Sequence, residues 1–229
     1  MIIIENIPGA EARKIRYEIS SNKIPEIMLK ITPYLGIIVV LVSVGGIWYP
    51  KLGYVVALVF LSILAISPFR GRWFCGNLCP RGSFNDFWIG RISRNVPIPR
   101  FFSSMLLRVP IFIGLMGFMI SRILATSGTV DKVGMVFVTM CILTTSVSIL
   151  FGLALSPRAW CTFCPMGTLQ RRLGRGKYQL KLDQNLCIDC GICRKVCPMQ
   201  LEVNEIAEKP DCIKCGRCVE ACPRGALGF

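Results

Sequence analysis

Most of the 13 cysteines in this chain lie in two short runs near its C-terminus. The first run contains Cys187, Cys190, Cys193 and Cys197, and the second contains Cys212, Cys215, Cys218 and Cys222. In each run the cysteines are separated by two, two and three residues, and a proline follows the last one. The repeated spacing indicates an internal duplication. Thiolates are soft ligands, so both runs are candidates for holding a thiophilic metal centre.

The spacing C-x2-C-x2-C-x3-C-P is the ligand pattern of bacterial iron–sulfur clusters. In each run, the first three cysteines fit on one tight loop around a single cluster. The fourth cysteine, just before the proline, is directed towards the cluster of the other run. The spacing therefore predicts two [4Fe–4S] clusters. The expected ligands are Cys187, Cys190, Cys193 and Cys222 for the first cluster, and Cys212, Cys215, Cys218 and Cys197 for the second. We expect Gly191 and Gly216 to leave backbone N–H groups free to face the cluster sulfides.

Zinc and disulfide bonds are the alternative uses of such cysteines. Structural zinc sites take ligands in separated pairs that often include histidine, and this chain has no histidine. Disulfide bonds require an oxidising compartment, which the charge pattern described below does not favour. The segment from Lys181 to Phe229 resembles a two-cluster bacterial ferredoxin domain, and this resemblance implies a small α+β fold.

A second group of cysteines forms two pairs, each followed by proline. The pairs are Cys75 and Cys79 before Pro80, and Cys161 and Cys164 before Pro165. Both segments share a tryptophan before the pair and the pattern C-P-x-G-[ST]-hydrophobe after it, which indicates a second duplication. If the two copies pack by pseudo-symmetry, the four thiols meet. They could then hold a third iron–sulfur cluster, another thiophilic metal or a reversible dithiol, or serve as structural thiols.

The composition indicates the elements that position these cysteines. The chain is 53% hydrophobic yet has a formal net charge of +14, which is typical of a membrane protein with basic loops. Four apolar runs, 31–49, 52–69, 105–125 and 133–155, are each about long enough to cross a bilayer as a helix. We therefore expect a mainly α membrane protein with four transmembrane helices in two duplicated hairpins, followed by the small α+β ferredoxin domain.

These runs predict four regions. Residues 1–30 are a cytoplasmic or interfacial segment, read as a partly amphipathic helix on the membrane surface or as a solvated tail. Residues 31–172 form the membrane domain, 173–180 a flexible hinge and 181–229 the ferredoxin domain. Ser83 is expected to begin an interfacial helix over 85–92, with a packed loop as the alternative for these residues. Arg108 and Arg122, near the ends of the third run, are expected to extend towards the lipid headgroups.

The distribution of lysine and arginine predicts the orientation in the membrane. The two short connections between the apolar runs hold one lysine each, Lys51 and Lys132. The opposite side holds five lysines and arginines in the N-terminal segment, six in residues 70–100 and six in residues 158–181. We therefore expect a multi-pass protein of the cell (inner) membrane. The positive-inside rule places both of its termini and its ferredoxin domain in the cytoplasm. Because the basic residues are spread over short loops, and do not form one continuous face, we expect no nucleic-acid partner.

The order of these features, with two cysteine–proline motifs at the cytoplasmic side and then a two-cluster ferredoxin domain, resembles the NapH family of membrane ferredoxins. It is also similar to the membrane core of NosR and to CcoG-type proteins. The resemblance implies electron transfer between membrane quinol and a redox partner. The chain departs from the usual pattern in its second pair, where two residues and not three separate Cys161 from Cys164. No counterpart of the flavin-binding domain of NosR is visible.

The sequence therefore predicts an integral-membrane iron–sulfur electron-transfer subunit. It would relay electrons between a cytoplasmic redox partner and a quinone or another membrane or extracytoplasmic partner, with lipid and further redox subunits as its other contacts. No nucleophile–base pair or phosphate-binding loop is visible, so the chain is expected to be part of an oxidoreductase complex and not a complete enzyme. The alternative is a membrane maturation factor that reduces a metal or a thiol during metalloenzyme assembly.

Overall fold

The computed structural model describes residues 34–126, 128–205 and 208–229. The described chain is mostly helical and ends in a small two-stranded unit. The helices are α1 Tyr34–Trp48, α2 Tyr54–Arg70, α3 Trp73–Asn77, α4 Pro80–Phe87, α5 Met105–Leu124, α6 Val130–Ala154, α7 Ala159–Phe163, α8 Pro165–Leu173, α9 Ile192–Lys195 and α10 Arg217–Glu220. The strands are β1 Lys181–Leu182 and β2 Leu227–Gly228.

Three helical segments are long and apolar enough to cross a membrane: Pro50–Arg70, Met105–Leu124 and Val130–Ala154. They correspond to the second, third and fourth apolar runs. Helix α1 is apolar but shorter over the described residues, so the fourth span stays a prediction. The predicted N-terminal segment 1–30 lies outside the described residues.

The two short connections between apolar helices lie together at one end of the helical bundle. A Cβ added to Gly53, just before α2, would lie 2.1 Å from the carbonyl oxygen of Gly134 in α6, so only glycine allows the start of α2 to approach α6 this closely. The Tyr54 hydroxyl donates a hydrogen bond to the carbonyl oxygen of Val130 at 3.1 Å. The opposite end of the bundle is therefore the one that carries the cysteine motifs.

At that opposite end, a pair of short helices follows each long helix: α3 and α4 follow α2, and α7 and α8 follow α6. Pro80 and Pro165 occupy the first turns of α4 and α8, where proline lacks only an N–H that would be unpaired anyway. The expected helix over 85–92 is wrong in its position, because the helix begins at Pro80 and ends at Phe87. The proline of the cysteine motif, and not Ser83, marks its start.

The ferredoxin domain is closed by an antiparallel pair of strands in which Lys181 faces Gly228 and Leu182 faces Leu227. Its core contains Val203, Cys218 and Leu227, with partly buried apolar side chains packed around them. The strands join the two ends of the domain, so the two cysteine runs are enclosed between its first and last residues.

Candidate metal centres

Each predicted set of ferredoxin ligands lines its own small cavity of about 20 Å³. The first cavity is lined by Cys187, Cys190, Cys193 and Cys222, and the second by Cys197, Cys212, Cys215 and Cys218. In each cavity the fourth cysteine comes from the other run. The fold therefore brings the cysteines together in the crosswise arrangement expected from the spacing.

The two cysteine runs share an unusual backbone conformation. Gly191 and Gly216 have φ angles of 70° and 76°, in the left-handed region that glycine adopts without strain. Asp189 and Lys214, two residues before them, also have positive φ angles, of 49° and 56°. Such successive turns direct backbone N–H groups towards one point, an arrangement suited to an anion. In the second run the N–H of Lys214 donates to the Sγ of Cys212 at 3.4 Å.

The ferredoxin cysteines lie where a bare thiolate is unfavourable. Burial and the neighbouring cysteines raise the pKa of Cys218 to about 12. Burial also raises the pKa of Cys197 and Cys212, although backbone N–H groups partly oppose this effect. A coordinating metal deprotonates a thiol outright. These cysteines are therefore suited to ligating a metal centre more than to acting as free nucleophiles.

The second group of cysteines surrounds one larger cavity of about 150 Å³, which we call the four-cysteine cavity. Cys75, Cys79, Cys161 and Cys164 all line it, together with basic side chains and apolar side chains from α1 and α2. Burial raises the pKa of Cys75, against the attraction of Arg72. Burial likewise raises the pKa of Cys161, against the attraction of Arg158. Cationic groups beside buried thiols favour the thiolate form that a metal requires.

Two arginines connect the halves of the four-cysteine cavity. Arg72 precedes Cys75 in the chain, but its Nη2 donates to the carbonyl oxygen of Cys161 at 2.7 Å. Arg158 precedes Cys161, and its Nη1 donates to the carbonyl oxygen of Cys75 at 2.8 Å. Both side chains are at most 2% exposed. Each cysteine pair is thus held in place by an arginine that belongs to the other pair's segment.

The glycine of each C-P-x-G motif makes room for these arginines. A Cβ on Gly82 would lie 2.3 Å from Arg158 Nη1, and a Cβ on Gly167 would lie 2.7 Å from Arg72 Nη2. No heavier residue could occupy either position without moving an arginine. The shared glycine is therefore explained by packing.

Two aspartates neutralise the buried arginines and join the ferredoxin domain to the membrane domain. Asp211, next to Cys212, accepts hydrogen bonds from Arg72, Arg108 and Arg171 at 2.7–3.1 Å. Burial opposes ionisation of Asp211, but the arginines outweigh it and hold its pKa below the usual value. Its position places a ferredoxin loop directly on the arginines of the membrane domain.

Asp86 is the centre of the second network. It accepts two hydrogen bonds from Arg158, at 2.8 and 2.9 Å, and another from Arg217, which precedes Cys218. Burial raises the pKa of Asp86, but the attraction and hydrogen bonds of Arg158 and Arg217 outweigh this effect, so its pKa lies below the usual value. Paired buried charges with this many hydrogen bonds are costly to disrupt, because removing one member leaves another buried and uncompensated.

Sequence reasoning missed these arginines and aspartates, and it misplaced Arg108. The expectation that Arg108 extends towards lipid headgroups is wrong, since the side chain is fully buried and ion-paired with Asp211. Arg122, by contrast, is exposed. One sequence signal was available: an arginine stands three residues before the first cysteine of both pairs, at Arg72 and Arg158. Nothing in the sequence indicated their aspartate partners.

Two buried donors around the four-cysteine cavity have no acceptor among the described residues. They are the Nε of Arg81 and the indole Nε1 of Trp160, whose side chains both line the cavity. Buried polar groups normally have a partner. An anionic centre with several sulfur acceptors would satisfy donors of this kind. The residues present therefore fit an iron–sulfur cluster at this site.

A single metal ion fits the cysteines less well. No group of three or more His, Cys, Asp or Glu side chains within the described ranges converges on the position of one ion. Thiolates approach a single zinc ion to about 2.3 Å, whereas a multi-iron cluster keeps its ligands further apart.

The second ferredoxin cavity and the four-cysteine cavity share one hydrophobic core. Its buried members are Cys75, Cys161, Met199 and Ile213, and Cys197 and Cys215 pack against them. The approach is close, since a Cβ on Gly76 would lie 2.2 Å from the carbonyl oxygen of Ile213. The Asn77 amide also donates to the carbonyl oxygen of Lys214 at 3.1 Å. The fold thus places cysteines of both sites in one buried cluster that also contains Ile213.

Comparison with known proteins shows similarity to iron–sulfur domains in both parts of the chain. A family model described as a 4Fe-4S binding domain matches twice, over residues 52–99 and 136–182. Each of these segments contains one cysteine–proline pair. A second model, described as a 4Fe-4S dicluster domain, matches residues 179–223.

Among curated proteins, the chain is similar to an uncharacterised protein of Methanocaldococcus jannaschii, with 32% identity over 75 residues. The aligned region covers 32% of this chain and only 30% of that relative's length. No solved structure matches the chain. The family matches and the cysteine sets together identify an iron–sulfur electron-transfer protein with two [4Fe–4S] clusters and with helices that could span a membrane.

Proposed function

We propose that this chain is an integral-membrane electron-transfer subunit of the NapH type. It relays electrons between a cytoplasmic redox partner and a quinone or another partner in or across the membrane. The observation that carries the proposal is the hydrophobic core around Ile213, which joins the second ferredoxin site to the four-cysteine cavity. A relay requires its redox sites to be close, and this contact supports a continuous path from the ferredoxin domain to the membrane helices.

The roles of the cysteines follow from the cavities that they line. The first ferredoxin cluster is held by Cys187, Cys190, Cys193 and Cys222, and the second by Cys197, Cys212, Cys215 and Cys218. A third cluster is held by Cys75, Cys79, Cys161 and Cys164. When bound, such clusters supply one-electron redox chemistry, at potentials set by nearby hydrogen bonds, charge and burial.

The remaining residues of the site position the ligands and exclude water. Ile213, which is 2% exposed, belongs to the buried cluster that contains cysteines of both the second and the third sets. Arg72 and Arg158 hold the two cysteine pairs against each other and supply positive charge beside the thiolates. Burial and nearby positive charge both shift the reduction potential of a cluster. Ile213, Arg72 and Arg158 therefore influence the potential of the cluster as well as the position of its ligands.

The membrane arrangement is part of the proposal. Helices α1 and α2 form one hairpin, α5 and α6 form the other, and the two hairpins together give four spans. The short connections with Lys51 and Lys132 lie outside the cytoplasm, and the arginine-rich end with the cysteine motifs faces it. Apolar side chains of α1 and α2, such as Val42 and Phe60, line the four-cysteine cavity. This lining supports access from the lipid phase by an apolar electron carrier.

The unpartnered donors favour electron transfer over the maturation function. A dithiol or a single bound cation would offer few acceptors to Arg81 and Trp160. A cluster with sulfide and thiolate sulfurs offers several. The cavity is therefore better suited to a resident anionic cluster than to a metal ion in transit.

The first test is the content of iron and acid-labile sulfide in protein purified without oxygen. We expect about twelve irons per chain, four for each [4Fe–4S] cluster. The double variant Cys75→Ser/Cys161→Ser should retain about eight irons, in the ferredoxin domain. The matched control is Cys141→Ser, because Cys141 is also a buried cysteine that lines the four-cysteine cavity but belongs to neither motif.

About eight irons in the unmodified protein would contradict the third cluster. A variant without the ferredoxin cysteines that binds one thiophilic ion, with no sulfide, would favour the maturation function. The orientation is tested separately, with reporter domains fused after Phe229 and inserted at Lys132. We expect activity of a cytoplasmic reporter only at Phe229, and the reverse pattern would contradict the proposed topology.

A further inference from the structure

Gln170 is a fully buried amide beside one of the membrane cysteines. It lies on α8, and its exposed fraction is 0%. The Cys75 thiol donates a hydrogen bond to Gln170 Oε1, with 2.9 Å between sulfur and oxygen. The amide nitrogen Nε2 is buried without a partner among the described residues. The arrangement satisfies a protonated Cys75, but it leaves a strong donor of Gln170 unused.

Ligation of a cluster reverses this requirement. A metal-bound cysteine is a thiolate, which has no proton to donate and can only accept hydrogen bonds. Two facing acceptors, Oε1 and the thiolate sulfur, would then repel each other. Rotation of the side-chain amide by half a turn exchanges Oε1 and Nε2, which occupy nearly the same volume. After this rotation, the Nε2–H of Gln170 can donate a hydrogen bond to the sulfur of Cys75.

A neighbouring donor can accommodate the rotated oxygen. The Nε of Arg72 is also buried without a partner, and Arg72 and Gln170 line the same small cavity beside α8. When Cys75 is a thiolate, Gln170 Nε2 can donate to its sulfur and Arg72 Nε can donate to the rotated Oε1. Both unpaired donors thus gain an acceptor only when Cys75 ligates a metal centre.

We propose that Gln170 is a positioning and tuning residue that donates an N–H···S hydrogen bond to Cys75 when Cys75 ligates the membrane cluster. The inference rests on the proposed third cluster. A hydrogen bond to a ligand sulfur withdraws electron density and stabilises the reduced cluster, which carries one more negative charge. Gln170 therefore raises the reduction potential of the membrane cluster relative to a site without this donor.

The other half of the membrane site is built differently, although the two motifs correspond. Asn85 stands where Gln170 stands relative to the C-P-x-G motif, but its Nδ2 donates to the Ser148 hydroxyl at 2.6 Å. Cys161 has Arg158 Nη1 at 3.8 Å from its sulfur instead of an amide. Asn85 is thus a buried amide of the same kind that does not contact a ligand sulfur. It is the natural control for Gln170.

The test is a redox titration of the purified full-length protein, followed by electron paramagnetic resonance. The signal of the membrane cluster is identified as the one that Cys75→Ser/Cys161→Ser removes. In Gln170→Leu, which preserves volume but has no donor, this signal should titrate at a more negative potential. We expect the equilibrium constant for one-electron reduction to fall roughly tenfold, which is about 59 mV. In Asn85→Ala the potential should not change.

A second measurement needs no variant at this position. Glutamine labelled with ¹⁵N in its side chain should give a nitrogen coupling to the membrane-cluster signal of the unmodified chain. Absence of that coupling, or an unchanged potential in Gln170→Leu with its cluster intact, overturns the inference. If Gln170→Leu does not assemble the membrane cluster, the coupling decides alone. Failure of the proposed third cluster looks different, because the unmodified protein then contains only about eight irons and no third signal.

Discussion

The ferredoxin sites and the four-cysteine cavity each gather four cysteines, but by different means. Each ferredoxin site takes three cysteines from one loop, in which glycines with positive φ turn the backbone around the site. The four-cysteine cavity takes two pairs from segments on either side of the helices α5 and α6. Local backbone geometry places three of the four ligands of the first kind of site, and the fourth comes from the other run. The second kind depends on helix packing and on the crossed arginines Arg72 and Arg158.

This difference leads to a general expectation. A site built on one loop should respond mainly to changes in its own ligands. A site assembled from distant segments should also respond to residues that contact no ligand sulfur, because these residues hold the segments together. The following four variants test this contrast, and the largest effect is expected from the first.

Cys197→Ser tests the one long-range ligand of the second ferredoxin site. Cys197 belongs to the first run, yet it lines the second cavity. We therefore expect loss of the second cluster, about four irons per chain, with a paramagnetic spectrum like that of Cys212→Ser. A spectrum like that of Cys187→Ser would show that the crosswise ligand assignment is wrong.

Asp211→Asn tests the contact between the two regions. The change removes the anion shared by Arg72 and Arg108, both buried, and leaves their charges uncompensated. Loss of one member of a buried ion pair typically costs about 3–5 kcal/mol. Thermal unfolding in detergent should show a correspondingly lower midpoint.

The matched control for this variant is Asp189→Asn. Asp189 is an exposed aspartate in the other cysteine run that accepts a single hydrogen bond from Asn204. Its replacement should change the midpoint little. Equal midpoints for the two variants would mean that the arginine network does not support the contact.

Gly76→Ala tests how closely the ferredoxin loop must approach α3. The new methyl group would lie 2.2 Å from the carbonyl oxygen of Ile213, so the loop must move away. Overpacking of this kind typically costs about 1–3 kcal/mol. We expect faster proteolysis between residues 173 and 180. Gly117→Ala is the control, since nothing lies within 4 Å of a Cβ added there, and similar cleavage of both variants would contradict the docking contact.

Asn85→Ala should have the smallest effect, because Asn85 contacts no ligand sulfur and pairs only with Ser148 among the described residues. It removes one hydrogen bond, from Nδ2 to the Ser148 hydroxyl, between α4 and α6. A single buried hydrogen bond contributes about 1 kcal/mol to stability. In a double-mutant cycle, Ser148→Ala should lower the free energy of unfolding less in the Asn85→Ala background than in the unmodified chain. Strict additivity of the two changes would show that this bond does not couple the helices.

Much of the ferredoxin region was predictable from the sequence. The spacing of the cysteines, the prolines after them and the glycines at 191 and 216 all act over a few residues, so their consequences can be worked out without a fold. The apolar runs after residue 50 are predictable for a similar reason, because the length of a helix and its hydrophobicity are local properties. The pairing of equivalent cysteine–proline motifs was visible as a repeat.

The contacts between the regions could not be predicted in the same way. Arg108 was expected at the lipid headgroups because a charge in an apolar helix is costly without a partner, and its partner, Asp211, lies far along the chain. The aspartate that Arg158 binds and the sulfur that faces Gln170 are likewise chosen by packing. The sequence by itself determined which residues could ligate iron and which helices are apolar. Only the tertiary structure decided which charges neutralise one another, because electrostatic pairing depends on distance in space and not on spacing along the chain.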